Sequence, residues 1–233
     1  MQIEYSEYQD QLVRGLAHRM NNILTLFHGY LGLLMDSKKL SGSERDGLER
    51  ITQGARAATE LIDRTHALVR PASVTEREID VAMLLRMLRP SFEARLGPKT
   101  ALTIETPEHL PIVCADAARL KTAIVELVRN AIEATLAGGK VAVSCRQISA
   151  PEKLAGKKGA PWIAVSVQDD GPGIPERIAG SLFQPFVTTK KQQDSAGLGL
   201  TLALTFAQQH GGDIRYASRR GETGFEMQIP CRR

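Results

Sequence analysis

The stretch WIAVSVQDDGPGIP, residues 162–175, decides how this chain is read. Ile163, Val165 and Val167 alternate with Ala164, Ser166 and Gln168, the period-two pattern of a strand with one face on a core. Asp169 keeps the parity of the apolar set, so its carboxylate projects from the face that packs against helices. A carboxylate there needs a polar partner, because burying it alone is costly. The amino group of an adenine ring is such a partner. Gly171 and Gly173 follow at once. They permit main-chain conformations that other residues resist and let a ligand approach closely. D-G-P-G is also good turn chemistry. Taken alone, the segment specifies a strand ending in a turn with an inward-facing acid at its tip.

Two neighbouring segments extend this reading. Asp116 to Ala137 is patterned as a helix, with Asp116 as the cap and Gly138 as the stop. Its ELVRNAIEA run places Glu126, Asn130 and Glu133 three or four apart, on one face. The Asn130 carbonyl oxygen suits Mg²⁺, a hard ion that prefers oxygen ligands, and Glu126 beside it is read as a second metal ligand. In SAGLGLTLA, Gly197, Leu198 and Gly199 open an apolar helix, whose exposed amides and dipole form a seat for phosphate. The polar run FVTTKKQQDSAG before it reads as a lid, with Thr188, Thr189 and Lys190 (or Lys191) toward phosphate. It is no Walker loop, because GxxxxGK[ST] is absent.

Around these segments helices and strands mix. Ala82 to Leu96 reads as a helix, Thr100 to Glu105 as a strand, and Val141 to Ile148 as another. Ser149 to Ala160 is a polar, Lys-rich loop read as solvated. Leu198 to Gln209 is a helix stopped by Gly211-Gly212. Asp213 to Ser218 and Phe225 to Ile229 are the last strands, joined by a turn at Gly221 to Gly224. Without βαβ alternation the pattern is α+β, a sandwich with helices on one sheet face.

The amino-terminal third differs. Residues 6–36 form a long amphipathic helix with Leu12, Leu16, Met20, Ile23, Phe27, Tyr30 and Leu34 at steps of three and four. A second helix runs from Ser43 to Val69, with Leu48, Ile51, Ala55, Ala58 and Ile62 as its stripe, Ser41 or Ser43 as cap and Pro71 beyond its end. One such hairpin cannot bury both stripes. Two hairpins paired as a four-helix bundle can, so a homodimer is expected.

Composition narrows the class. The 233 residues are 42% hydrophobic with net charge +4, which supports a real core and argues against a dense nucleic-acid-binding surface. Cys114, Cys145 and Cys231 show no metal spacing and suit a reducing compartment. No apolar run approaches the ~18 residues of a membrane span and no signal-peptide pattern opens the chain, so a soluble cytoplasmic location is expected.

Asn130, the Asp169-Gly171-Gly173 group, Phe183 and Phe186 in SLFQPFVTTK, and Gly197-Gly199 stand in the order of four boxes, and together they resemble the catalytic domain of histidine kinases in the GHKL ATPase superfamily. The resemblance implies an α/β sandwich that binds ATP with Mg²⁺, Asn130 as metal ligand and Asp169 as reader of adenine. Ser195 departs from a lid glycine common in that family. The domains expected are 1–70 for the helical hairpin, 71–78 as linker and 79–233 for the ATP-binding domain.

LAHRMNNIL, residues 16–24, is the remaining motif. His18 lies two residues from Leu16 and Met20, about 200° away on a helix, so it points off the stripe. Asn22 shares its exposed face. A neutral imidazole nitrogen can attack the γ-phosphate of ATP or pass phosphate to an aspartate. The run resembles the H box of dimerising histidine-phosphotransfer domains. That resemblance makes His18 the phospho-acceptor, links Asn22 to dephosphorylation and adds a response-regulator receiver domain as partner. Where the family usually has an acid after the histidine, this chain has Arg19. Arginine stays protonated and cannot act as a base, but it can hold a phosphoryl oxygen. His28, His66, His109 and His210 are given no chemistry. The expected activity is that of a two-component histidine kinase. Arg19 motivates the alternatives, a non-kinase phosphotransferase or phosphatase, or a nucleotide-dependent binding module.

Overall fold

A computed structural model describes residues 2–37, 40–68, 75–151, 161–189, 196–219 and 221–231, with side chains from residue 13 onward. The chain divides into two compact units, Met1–Ala72 and Ser73–Arg233.

The first unit is a helical hairpin of α1 (Gln2–Met35) and α2 (Gly42–Leu68). The start of α2 is set by a reciprocal cap. The Ser41 amide donates to Glu44 Oε2 at 2.8 Å, and the Glu44 amide donates to Ser41 Oγ at 3.4 Å. The Ser41 hydroxyl also donates to Glu44 Oε2 at 2.6 Å, and this bond, with that from the Ser41 amide, holds the Glu44 carboxyl below its ordinary range. The two helices meet along Ala17, Asn21, Leu24, His28, Leu31 and Met35, the less exposed residues of α1, spaced by four and three. Asn21 Nδ2 donates to Asp63 Oδ1 at 3.0 Å, and His28 Nε2 meets Thr59 Oγ1 at 3.3 Å. The stripe read from the sequence is a different one. Leu16, Met20, Ile23, Phe27, Tyr30 and Leu34 precede the seam by one residue and are 40–67% exposed. One residue is 100° of helix, so α1 carries two heptads side by side, one facing α2 and one facing outward. Leu12 of that stripe lies outside the described side chains. On α2 the stripe is split: Ile62 is buried and Ile51 is exposed.

The second unit is an α+β sandwich. Five strands form a sheet in the order β2 (Ala101–Glu105), β4 (Lys140–Ile148), β5 (Trp162–Asp169), β7 (Glu222–Pro230), β6 (Asp213–Arg219). The β2–β4 pair is parallel and the others antiparallel. One face carries α3 (Val81–Glu93), α4 (Ala117–Ala134) and α6 (Gly199–Gln209). The sheet turns Val143, Val165 and Met227 toward the core, and the helices answer with Leu85, Leu127 and Phe206, all at most 2% exposed.

The structure refines several expectations. Glu76–Ile79, which overlaps the end of the stretch read as linker, is β1, and it pairs antiparallel with β3 (Val113–Asp116), which the sequence pattern missed. Four residues are too few to show an alternation. Residues 71–74 lie outside the described residues, as do 152–160 of the basic loop. Against expectation, β–α–β crossovers do occur among the described residues: β2 runs through α4 to the parallel β4, and β5 runs through α6 to β6, which is parallel to it with β7 between them. Helix α4 ends at Ala134, three residues before the expected stop, and Gly138 follows with φ +87°. A short helix, α5 (Glu176–Ala179), was not foreseen. Strand β7 begins at Glu222, so the turn centres on Gly221 rather than running to Gly224. Among the described residues no helix is long and apolar enough to cross a membrane.

Two ends fix the helices that build the site. Asp116 caps α4, accepting from the amides of Ala118 and Arg119 at 3.0 and 3.1 Å. At the end of α6, Gly211 has φ +76°, its amide reaches Gln208 O, and the Gly212 amide reaches Ala207 O. That is a Schellman stop. A Cβ on Gly212 would lie 2.0 Å from the main-chain oxygen of Gln228. Asp116→Ala is therefore expected to lose about 1 kcal/mol of stability, and Gly212→Ala about 2–3 kcal/mol, because rigid backbone must move. Urea denaturation of both variants checks this; a smaller loss for Gly212→Ala would contradict the packing described.

Candidate functional site

The pocket lies where the end of β5 meets the faces of α4 and α6. It has a volume of about 260 Å³. Asp169 enters it from the last position of β5, as the strand parity requires, and is 4% exposed. Its Oδ1 accepts a hydrogen bond from the Gly171 amide at 3.0 Å, which fixes the carboxylate. Thr223 stands opposite Asp169 on β7 and is also buried.

The glycines are required by space as well as by torsion. A Cβ on Gly171 would lie 2.7 Å from Asp169 Oδ1 and 2.8 Å from Ala134 O. Gly173 has φ +87°, with Arg219 O 3.0 Å from the Cβ position. Gly197 has φ +65° and packs on the Phe186 backbone, whose amide donates to Gly197 O at 3.0 Å. Phe186 itself is strained, at φ +66°, and its ring is exposed, while Phe183 packs edge-on against Tyr216 and Phe225. The two phenylalanines thus differ: one anchors the segment and the other turns outward.

Helix α4 contributes Glu126, Arg129, Asn130 and Glu133 to the lining. Glu126 is not on a solvated stripe; it is 6% exposed. Its Oε2 pairs with Arg129 at 2.5 Å, and Arg129 Nε lies 3.5 Å from Glu133 Oε1. The spacing i, i+3, i+7 makes this chain of charges inevitable on a helix. Glu126 Oε2 would also lie 2.5 Å from a Cβ on Gly199, so it reaches the first residue of α6.

Most of the residues expected from the sequence converge here. Asn130, Asp169, Gly173, Thr188, Thr189, Gly197, Gly199 and Glu126 line one pocket. Two do not. The Leu198 side chain is buried in the core, and Gly171 lies beneath Asp169. Only their main chains are of use to a ligand. Lys190, Lys191 and Ser195 lie outside the described residues. Arg129, Thr223 and the apolar wall of Ile174, Ile178, Leu182 and Val187 were not foreseen. For Arg129 the spacing from Glu126 was the available signal.

These groups suit ATP. An apolar wall can accommodate a flat base, the buried Asp169 can accept from an amino group, and the amino-terminal end of α6 offers main-chain amides to an anion. Among the described residues no group of three or more His, Cys, Asp or Glu is arranged to hold a metal. Asn130 with Glu126 can supply two oxygen donors, as suits Mg²⁺ completed by phosphates and water. The cysteines take no part: burial pushes the Cys145 and Cys231 thiols up to about 11.

In the hairpin, His18, Arg19 and Asn22 are all exposed on α1, while Asn21 is half-buried and bonded to Asp63.

Comparison with known proteins agrees with both units. Residues 115–233 match the family described as histidine kinase-, DNA gyrase B-, and HSP90-like ATPase, and residues 8–73 match the His Kinase A (phospho-acceptor) domain. The chain is 30% identical to the sensor kinase CckA of Brucella abortus (strain 2308), over 94% of this chain and 24% of that protein. It is 30% identical to the sensory histidine kinase/phosphatase NtrB of Escherichia coli O157:H7, over 95% of this chain and 62% of that protein. It therefore spans from a quarter to just under two thirds of these relatives. Among solved structures, full-length ShkA in complex with AMPPNP superposes with a TM-score of 0.77 at 23% identity, covering 94% of this chain and 45% of that one. The catalytic domain of the histidine kinase ThkA superposes at 0.54 and 29% identity, over 67% of this chain and 96% of that one. The chain belongs to the histidine kinase-, DNA gyrase B- and HSP90-like ATPase family, and its pairing of that domain with a phospho-acceptor hairpin is the core of a two-component sensor histidine kinase.

Proposed function

We propose that this chain is a protein-histidine kinase: it binds ATP with Mg²⁺ in the β5–α4–α6 pocket and transfers the γ-phosphoryl group to His18. An aspartate of a response-regulator receiver domain then takes the group. One observation carries the reading. A single chain presents an exposed histidine within a phospho-acceptor segment and a glycine-walled pocket with a buried carboxylate at its base.

The roles follow from the residues. Asp169, held by the Gly171 amide, reads the adenine amino group. Gly173, Gly197 and Gly199, with the Leu198 amide, let the main chain approach phosphate. Thr188, Thr189 and Lys190 complete the phosphate side. Asn130 and Glu126 hold Mg²⁺, which offsets negative charge on the transferring group. A neutral ring nitrogen of His18 attacks phosphorus, an N–P bond forms, the bond to the β-phosphate oxygen breaks and ADP leaves. Arg19 cannot take the imidazole proton, and steadies a phosphoryl oxygen instead. In the onward step the receiver carboxylate attacks phosphorus and His18 leaves. Asn22 lies one turn on, where its amide can orient a water for dephosphorylation. The sensory histidine kinase/phosphatase NtrB, as its name states, combines two such activities.

The outward heptad of α1 supports a homodimer, in which two hairpins make a four-helix bundle. An exposed stripe of this length is unusual unless another surface covers it. Placing the chain in the cytoplasm accords with these roles.

Incubation with γ-labelled ATP and Mg²⁺ is expected to give acid-labile label that His18→Ala lacks, and Arg19→Glu is expected to raise its rate. Bound ATP with no label would refute the kinase reading in favour of a non-kinase phosphotransferase. For the dimer, sedimentation should show two copies for the native chain and one for Phe27→Asp, since a charge would be buried in the bundle seam; a native monomer would exclude it.

A further inference from the structure

A carboxylate of the protein lies at the start of α6, where the nucleotide-binding reading puts phosphate. Glu126 Oε2 lies against Gly199, the first residue of α6, and is paired with Arg129. Arg129 reaches the same place, with its NH2 nitrogen 3.5 Å from a Cβ built on Gly199. Among the described residues lining the pocket, Arg129 is the one cation, against three carboxylates, Glu126, Glu133 and Asp169. Within that described lining Arg129 is the cation open to a triphosphate, and it is paired with an internal carboxylate that also lies against the first residue of α6.

We propose that Glu126 and Arg129 form a displaceable latch, in which the Glu126 carboxylate occupies the phosphate seat and the terminal phosphates of the nucleotide take over both of its partners. The proposal rests on the nucleotide-binding reading above. It makes Arg129 a phosphate-binding residue that Glu126 withholds, and it leaves the displaced Glu126 beside Asn130 to hold the metal. Phosphate then takes the arginine and the helix terminus, and the carboxylate regains a cation. Nucleotide and metal binding are coupled through this pair. Without a metal, ATP must displace Glu126 from Arg129 without the gain of a metal–carboxylate contact.

Titration calorimetry of the whole chain with ATP and with adenosine, each in EDTA and then in Mg²⁺, tests this. Adenosine carries no phosphate, so the ratio of ATP to adenosine affinity isolates the seat. In EDTA, Glu126→Gln is expected to raise that ratio about tenfold over the native chain, and added Mg²⁺ should then help ATP less. Arg129→Gln should lower the ratio by about tenfold. Because Arg129→Gln leaves Glu126 buried without its cation, the double variant Glu126→Gln/Arg129→Gln is the safer comparison; its ratio should fall about tenfold below that of Glu126→Gln. An unchanged or lower ratio in Glu126→Gln, or equal ratios in the single Glu126→Gln and double variants, would overturn the latch. Loss of adenosine and ATP binding together in Glu126→Gln would make the pair a structural prop and overturn it as well. A native chain that binds neither ligand would remove the nucleotide reading itself, a distinct result.

Discussion

A carboxylate on the core side of a sheet is the constraint around which the catalytic unit is arranged. Asp169 ends β5 on the helix-facing side and is almost fully buried. Such a group persists only if its neighbours serve it. The Gly171 amide does so at 3.0 Å, and Gly171 must be glycine, because a Cβ would strike both Asp169 and Ala134. That contact ties the end of β5 to the end of α4. The next strand, β7, sets Thr223 opposite Asp169, and the turn through Gly173 lies on Arg219. Strand, helix end and turn are thus held together at the point where a base would be read.

The phosphate end is governed by charge. Helix α4 offers a run of acid, base and acid along one face, and its buried acid reaches the start of α6. An ion pair this well enclosed is weak evidence of stabilisation, since desolvating both charges offsets most of their attraction. Its retention is better explained by work at the site than by the fold.

Much of this was legible in the sequence, and the reasons differ by element. β4, β5 and α6 were found to within a residue because each buries one clear face and ends at glycine or a charged turn. Asp169 was placed correctly by parity alone. β1 and β3 were missed because four-residue strands carry too few alternations to stand out. Leu198 was taken as a phosphate residue, but its side chain fills the core; the sequence motif names a main-chain contact and says nothing of the side chain. The hairpin offers a different lesson. Its outward heptad is made of large apolar residues, while the seam within the chain mixes Ala17, Asn21 and His28 with Leu24, Leu31 and Met35. Hydrophobicity therefore pointed to the outward heptad, and the more polar seam, fixed by Asn21–Asp63 and His28–Thr59, was invisible to it.

In the proposed function the buried Asp169 reads the amino group of a purine. This role is tested most directly by comparing the affinity of the native chain for ATP and for inosine triphosphate, which carries a carbonyl oxygen in place of that amino group. An oxygen facing the carboxylate loses a hydrogen bond and adds repulsion, so ATP is expected to bind more tightly by at least about tenfold. Equal affinities would contradict the account.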